Sequence, residues 1–222
     1  MSSAAESSET KRGLLIVFEG IDKSGKSSQS AALTHWFAQA GVEAVLYRFP
    51  DYNEAGGQLL KDYMEGRLTL STEAAHMFFS ANRWAAIDAI KKHLAAGVTV
   101  ICDRYSYSGI AYSVAKGMSA EAARRTELGL PRPDMVFYFN ITPLAVSQRP
   151  GFGDKHEKVE FLRTVRLAYE DLIDEQAGWV VVDAQESRDT VAASIIERVR
   201  PSLYYQDSAR PLARIGDPIL VL

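Results

Sequence analysis

The sequence has little cysteine, no long apolar run and no excess of basic residues, and each lack excludes a class of protein. Cys102 is the single cysteine in 222 residues, so no internal disulfide can form, and the composition suits a reducing compartment. No run approaches the roughly 18 to 20 apolar residues that cross a bilayer, which excludes a membrane-spanning helix. The 25 Lys and Arg against 28 Asp and Glu give a net charge of −3, which argues against an extended nucleic-acid surface.

The first eleven residues, MSSAAESSETK, are small and polar. They contain neither the apolar stretch of a secretory signal nor the Arg-rich pattern of a mitochondrial presequence. We therefore expect a disordered N-terminus at 1–11 and a cytoplasmic location, with a nuclear or mitochondrial pool left open. Hydrophobic residues make up 47% of the chain, enough for a sizeable core. We predict one domain at 12–200, followed by a tail at 201–222 to which we assign no function.

Short apolar runs alternate with helical patterns along the chain, which is typical of an α/β fold. The patterns predict strands at 14–19, 44–49, 98–103, 135–141 and 179–183, and helices at 26–40, 59–65, 72–96, 106–114, 120–128, 158–177 and 190–199. Because each strand is nearly all apolar, we predict a five-stranded parallel sheet with helices on both faces, a three-layer fold. Ligands of such sheets bind at the carboxyl ends of the strands.

One segment between two predicted helices is rich in Gly, Pro and charge. It reads RPGFGDKHEK and spans about 149–158. This composition suits a mobile lid over a binding site, or an ordinary surface loop.

A phosphate-binding loop is the clearest motif in the sequence. Residues 20–27, GIDKSGKS, match the pattern G-x-x-x-x-G-K-[ST] and lie between a predicted strand and a predicted helix. Such a loop turns backbone N–H groups toward a polyphosphate at the positive end of the helix. Lys26 would reach the phosphate oxygens, and the Ser27 hydroxyl would hold Mg²⁺.

The third strand ends in a carboxylate followed at once by a guanidinium, Asp103 and Arg104. An Asp at this edge can serve Mg²⁺ or an attacking oxygen, and the Arg can clamp a second anion such as an acceptor phosphate. A structural ion pair is the alternative. The Asn-Lys-x-Asp motif of GTPases is absent from the sequence, and two acidic residues, as in motor ATPases, do not end this strand.

Five motifs in order carry a resemblance to thymidylate kinases of the eukaryotic type, over roughly residues 12–200. They are the phosphate loop, Arg-Phe-Pro at 48–50, FSANRW at 79–84, DRY with Ser-Gly at 103–109, and GLPRPD at 129–134. The resemblance implies a P-loop nucleoside monophosphate kinase that phosphorylates dTMP to dTDP with Mg-ATP for dTTP synthesis. It also implies a homodimer, and neither a nucleic-acid nor a membrane partner is expected.

The resemblance also implies site residues. Catalytic roles fall to Lys23, Lys26, Asp103 and Arg104, with Mg²⁺ on Ser27 and Asp103. ATP contacts fall to Gly20, Ser24, Gly25, Lys26, Ser27, Ser28 and Arg149. Contacts with dTMP fall to Asp22, Phe49, Phe79, Arg83, Arg104, Ser108, Gly109 and Tyr112. In this assignment Phe79 stacks on thymine, Arg83 donates to its O4, and Tyr112 packs beneath the deoxyribose.

Some of these roles have plainer alternatives. Phe79 and Arg83 are four apart and share one face of a predicted helix, yet Phe79 alone would suit a core position equally well. Arg149 would equally suit a solvated position. The sequence also departs from the family pattern: Lys23 and Tyr52 stand where arginines are common, and His156-Glu157 replaces a Tyr-Glu pair.

Two rival functions stay open at this point. A deoxynucleoside kinase of the same fold would place a general-base carboxylate near the acceptor, where a monophosphate kinase needs a second phosphate clamp. A catalytically inactive nucleotide-binding module would keep only the loop. The intact set of Lys26, Ser27, Asp103 and Arg104 favours an active kinase.

Overall fold

Five parallel strands form the centre of the fold in a computed structural model, which describes residues 12–54, 56–150, 152, 155–174, 178–204 and 212–216. The strands are β1 (Leu15–Glu19), β2 (Ala44–Arg48), β3 (Thr99–Asp103), β4 (Met135–Asn140) and β5 (Trp179–Asp183). Their order in the sheet is β2-β3-β1-β4-β5, and every neighbouring pair is parallel. The predicted five-stranded parallel sheet is confirmed.

Eight helices occur in the described part of the chain. They are α1 (Lys26–Gln39), α2 (Gly57–Met64), α3 (Thr72–Ala95), α4 (Ser106–Ala115), α5 (Ala120–Arg125), α6 (Pro143–Ser147), α7 (Lys155–Glu170) and α8 (Arg188–Tyr204). The short α6 was not predicted, because five residues are too few for a periodic pattern. Helix α7 begins at Lys155, inside the segment predicted as a loop, and α8 continues to Tyr204, beyond the predicted domain end at 200.

The two central strands are buried along their whole length. All residues of β1 and β3 are buried, so side chains pointing to either face of the sheet are covered. Phe18 of β1 lies against Phe137 and Phe139 of β4, with ring centroids 5.5 and 5.6 Å apart. The helices form two groups, α1 with α8, and α3, α4 and α7 together. The structure therefore has the predicted three layers.

The order in which strands are added to the sheet reverses at β1, and this reversal determines where the site lies. From β1 the chain passes through α1 to β2, which lies beyond β3, whereas β4 and β5 lie on the other side of β1. In parallel sheets the crevice at such a reversal binds ligands at the carboxyl ends of the strands. Phe18 near the end of β1 is level with Asp103 at the end of β3, so the phosphate loop and the Asp-Arg pair emerge side by side.

A C-terminal segment, 212–216, lies against the loop at 129–132. Ile215 accepts a hydrogen bond from the Gly129 N–H (3.0 Å) and donates one to the Leu130 carbonyl (2.8 Å), and the Arg132 N–H donates to the Ala213 carbonyl (2.8 Å). The N-terminus at 1–11, for which disorder was predicted, lies outside the described residues. Among the helices described, none has the length and apolar character needed to cross a membrane.

Candidate active site

A cavity of about 760 Å³ opens beside the phosphate loop, and we call it the phosphate-loop cleft. Basic side chains and loop residues line it together with apolar residues of α7: Asp22, Lys23, Gly25, Lys26, Ser27, Ser28, Arg104, Arg149, Phe152, Lys158, Phe161 and Leu162. Five of the residues predicted to bind ATP are in this lining. Gly20 and Ser24 are not, and both are buried.

The loop backbone is shaped for an anion. Gly20 has φ 140°, and a Cβ atom there would lie 2.9 Å from the Phe139 carbonyl oxygen, so a larger residue would displace the loop or β4. Helix α1 begins after Gly25 (φ 110°), and no side chain caps its first turn. A helix N-terminus that lacks a side-chain cap offers N–H groups and a partial positive charge to a phosphate.

Lys26 is buried at the floor of the phosphate-loop cleft. Its Nζ donates hydrogen bonds to the Ile21 carbonyl (2.6 Å) and to Ser24 Oγ (3.1 Å). Burial, and after it the positive charge of Arg104, lowers the pKa of Lys26 to about 7. A bound polyphosphate would supply the negative charge that keeps this ammonium protonated.

Lys23 and Arg149 tie the phosphate loop to the start of the 149–158 segment. The Lys23 Nζ donates to the Pro150 carbonyl (2.8 Å), and Arg149 donates from Nη1 to the Lys23 carbonyl and from Nη2 to the Ala184 carbonyl (2.9 Å). Both charged groups therefore lie at the rim of the cleft. The side chain of His156 lies outside the described residues.

A second cavity, of about 210 Å³, adjoins the first and has five Phe and Tyr rings in its lining; we call it the aromatic cleft. Most of its lining comes from α3, α4 and the turn after β2, and the phosphate loop, α2 and α7 contribute one residue each. The lining residues are Asp22, Phe49, Pro50, Met64, Thr72, Ala75, His76, Phe79, Arg83, Arg104, Tyr105, Ser108, Gly109, Tyr112, Ser113, Lys116 and Phe161. All eight residues predicted to bind dTMP are among them. The structure thus brings the predicted acceptor residues together around one cavity.

Arg104 stands where the two clefts meet. Its guanidinium donates from Nη2 to Asp22, and from Nη1 to the Gly20 carbonyl (3.2 Å) and Ser108 Oγ (3.1 Å). It also lies over the Tyr112 ring, 5.3 Å from the centroid. Asp22 and Arg104 line both cavities. A group bound next to these two side chains would therefore be accessible from both cavities.

Positive φ angles single out the same region. Among the described non-glycine residues, only Lys23 (φ 59°) and Arg104 (φ 70°) adopt this conformation. For residues with a side chain this conformation costs free energy, and strained residues cluster at functional sites. Both residues are predicted catalytic residues, and each is held by hydrogen bonds of its side chain.

The inner end of the aromatic cleft contains an ion pair that sequence reasoning missed. Arg83 donates from Nε to Glu127 Oε2 (2.9 Å) and from Nη2 to Glu127 Oε1, and both side chains are buried. Glu127 thus occupies one edge of the guanidinium, and the predicted contact of Arg83 with thymine O4 stays a prediction. Phe79 is half-buried and meets the Tyr63 ring edge-on at 6.2 Å.

Gly109 and His76 complete this end of the cleft. A Cβ atom on Gly109 would lie 2.4 Å from Arg83 Nη2, so only glycine admits the guanidinium in this position. His76, which was also missed, has its Nδ1 2.7 Å from Ser113 Oγ and its Nε2 2.8 Å from Thr126 Oγ1. Burial lowers the pKa of His76, so the imidazole is neutral near pH 7.

The predicted Mg²⁺ ligands are oxygens on adjacent elements. Ser27 is an exposed residue in the first turn of α1, and Asp103 is the buried last residue of β3. A hydroxyl and a carboxylate suit Mg²⁺, which takes one or two protein oxygens together with phosphate oxygens and water. Asp103 lines neither cleft, whereas Ser27 lines the phosphate-loop cleft. The residues present fit the ion, and both assignments stay predictions.

Comparison with known proteins was made by sequence and by structure. A sequence model of the family described as Thymidylate kinase matches residues 18–195. A thymidylate kinase of Arabidopsis thaliana is 38% identical over 209 residues, covering 94% of this chain and 79% of that protein. The human thymidylate kinase is 36% identical over 188 residues, covering 83% of this chain and 89% of that protein. A structure of thymidylate kinase from Candida albicans matches with a TM-score of 0.76 at 31% identity, covering 86% of this chain and 93% of that one.

Proposed function

The chain belongs to the thymidylate kinase family, and on that premise we propose that it transfers the γ-phosphoryl group of Mg-ATP to dTMP, giving dTDP. The single observation that carries the proposal is the meeting of the two clefts at Asp22 and Arg104. One cleft is built for a polyphosphate and the other for a flat, partly apolar ring. A direct transfer between two phosphates needs such a junction.

In the acceptor half, Arg104 would clamp the dTMP phosphate. Asp22 accepts from its guanidinium and would also accept from the 3′-hydroxyl of the acceptor. The base would enter between Phe79 and Arg83, with the Glu127 carboxylate holding Arg83 in place. A guanidinium that already has a fixed partner loses little entropy when it binds a base.

In the donor half, the first turn of α1, Lys26 and Arg149 surround the space for ATP phosphates. Ser27 and Asp103 would hold the magnesium ion, which offsets phosphate charge when bound. Transfer of a phosphoryl group leaves little covalent work to the protein, so catalysis rests on alignment and on charge near the transferring oxygens. Lys23 and Lys26 would supply that charge, and no covalent intermediate is expected.

The family also implies a homodimer, and the surface of α3 supports this proposal. Met77, Phe78 and Trp84 on this helix are 57%, 38% and 40% exposed. Large apolar side chains gathered on one helix are typical of a covered interface. The proposed partner is a second copy of this chain. The cytoplasmic location predicted from the sequence stays a prediction.

A coupled assay of ADP release tests the reaction, with dTMP, dUMP and thymidine offered in parallel. We expect rapid ADP release with dTMP and none with thymidine, because thymidine has no phosphate for Arg104 to clamp. Faster turnover with thymidine would identify a deoxynucleoside kinase, and no turnover with any acceptor would identify a binding module. The Lys26→Ala variant is the matched control, with an expected loss in kcat of at least about 10²-fold.

A further inference from the structure

Glu19 is a carboxylate buried in the centre of the sheet. It is the last residue of β1 and is fully buried. It lines neither the phosphate-loop cleft nor the aromatic cleft. Burial of a carboxylate is costly unless its oxygens receive hydrogen bonds, and four donors reach this one. They are the Tyr105 N–H (2.9 Å), the Ser108 N–H (3.1 Å), Ser108 Oγ and Tyr169 Oη (2.9 Å).

Two of these hydrogen bonds cap helix α4. Tyr105 occupies the N-cap position, and its own side chain makes no capping hydrogen bond. Glu19 Oε1 accepts the backbone N–H of Tyr105 and that of Ser108, the third residue of the helix. A negative oxygen at a helix N-terminus satisfies these donors and also interacts favourably with the helix dipole. The cap therefore comes from a neighbouring strand and not from the local sequence.

The capped turn fixes the backbone of Arg104. Arg104 precedes Tyr105 directly and has φ 70°, a conformation that persists only where the surroundings impose it. Its own N–H donates to the Phe18 carbonyl (3.0 Å), next to Glu19 in β1. The end of β1 thus holds the chain on both sides of the Arg104 Cα.

Glu19 also orients the Arg104 side chain through Ser108. The Ser108 hydroxyl has one proton, which it donates to Glu19 Oε2, so its lone pairs face outward. Arg104 Nη1 donates to that oxygen at 3.1 Å. Without the carboxylate, the hydroxyl could turn and present its proton to the guanidinium.

We propose that Glu19 is a positioning residue that holds Arg104 in the geometry for binding the acceptor phosphate. It acts through the α4 cap and through Ser108, without touching either substrate. The inference rests on the proposed function, because it assigns the anion at Arg104 to the phosphate of dTMP. It predicts that Glu19 affects phosphate recognition and leaves base and sugar recognition unchanged.

Calorimetric titration of dTMP and of thymidine into the full chain tests this role. Glu19→Gln keeps the size of the side chain but directs an amide N–H₂ at donors that need an acceptor. We expect the Kd of dTMP to rise at least about fivefold, as for a weakened charge-assisted hydrogen bond, while the Kd of thymidine stays within about twofold. The preference for the phosphorylated ligand is a measure that simple loss of stability would not move.

Tyr169→Phe is the matched control. It removes the Tyr169 hydroxyl, which contacts both the same Glu19 oxygen and Ser108 Oγ (2.8 Å), but leaves the α4 cap and the hydrogen bond from Ser108 to Glu19 in place. We expect it to keep the preference for dTMP over thymidine. If Glu19→Gln does not fold, Ser108→Ala serves in the same titrations, since it removes the side-chain link from Glu19 to Arg104 without leaving a buried charge unpaired.

The outcomes separate the two proposals. If the wild-type chain binds no dTMP, the proposed function is contradicted, and the inference is contradicted with it. A wild-type chain that binds dTMP, with variants whose preference for dTMP over thymidine is unchanged, overturns the inference alone. Equal weakening of dTMP and thymidine would also overturn it, because Glu19 would then only maintain the fold.

Discussion

Binding of ATP to the phosphate-loop cleft is expected to take up a proton near pH 8. In the free chain, burial lowers the pKa of Lys26 to about 7. Binding of ATP brings the negative charge of a polyphosphate next to this side chain. At pH 8 the free side chain would be about one-tenth protonated, and the bound side chain would be almost fully protonated. The expected uptake is therefore about 0.9 proton per chain at pH 8, and about 0.1 proton at pH 6.

The lowered pKa of Lys26 also determines how the stability of the nucleotide-free chain changes with pH. Between about pH 7 and the ordinary lysine pKa, the unfolded chain binds more protons at Lys26 than the folded chain does. The contribution of this residue to stability therefore rises with pH over that window. Nucleotide binding, which restores the charged form, should remove this dependence.

Calorimetry measures the proton uptake directly. ATP is titrated into the protein at pH 8 in two buffers of different ionisation enthalpy, and the difference in apparent binding enthalpy gives the number of protons exchanged. Lys26→Arg is the control, since its guanidinium is charged in both states and proton exchange by the nucleotide itself cancels in the comparison. An uptake at pH 8 equal in wild type and Lys26→Arg would refute the reasoning.

Three further predictions concern the rim and the aromatic cleft. Lys23→Ala should lower kcat and kcat/KM together by about 10- to 10³-fold, the range of one charge-stabilising donor. Arg149→Ala is measured beside it, and a large loss of kcat in that variant alone would show that Arg149, and not Lys23, supplies the catalytic charge. Gly109→Ala should raise the KM of dTMP but not that of ATP, because the new methyl group displaces Arg83, and equal changes in both constants would contradict this. If Tyr112 packs beneath the deoxyribose as predicted, its ring leaves no room for a 2′-hydroxyl, so ribonucleotide acceptors should show a much lower kcat/KM than dTMP. Comparable values would reject that role.

The sheet and the phosphate loop could be predicted because their patterns are local. Each strand is a short apolar run, and the residues at 20–27 follow one another in sequence. The motifs of the aromatic cleft came from resemblance, and the structure gathers them around one cavity. The short α6 and the early start of α7 at Lys155 were missed, since apolar periodicity is too weak there to mark a helix end.

The interactions that hold the site could not be read from sequence patterns. Glu127 is 44 residues from Arg83, and Glu19 is 89 residues from Ser108, so neither pair leaves a spacing signal. A single charged residue at the end of the apolar run LIVFE was the one hint of Glu19. The lowered pKa of Lys26 likewise follows from burial and from Arg104, which only the fold brings near.

The most direct test of the central claim uses one molecule that spans both clefts, in which adenosine and thymidine are joined through a chain of phosphates. If the two sites meet at Asp22 and Arg104, this analogue should bind once per chain and inhibit competitively against ATP and against dTMP. Inhibition that is competitive against only one of them would contradict the account, because the two clefts would then not open onto a common junction.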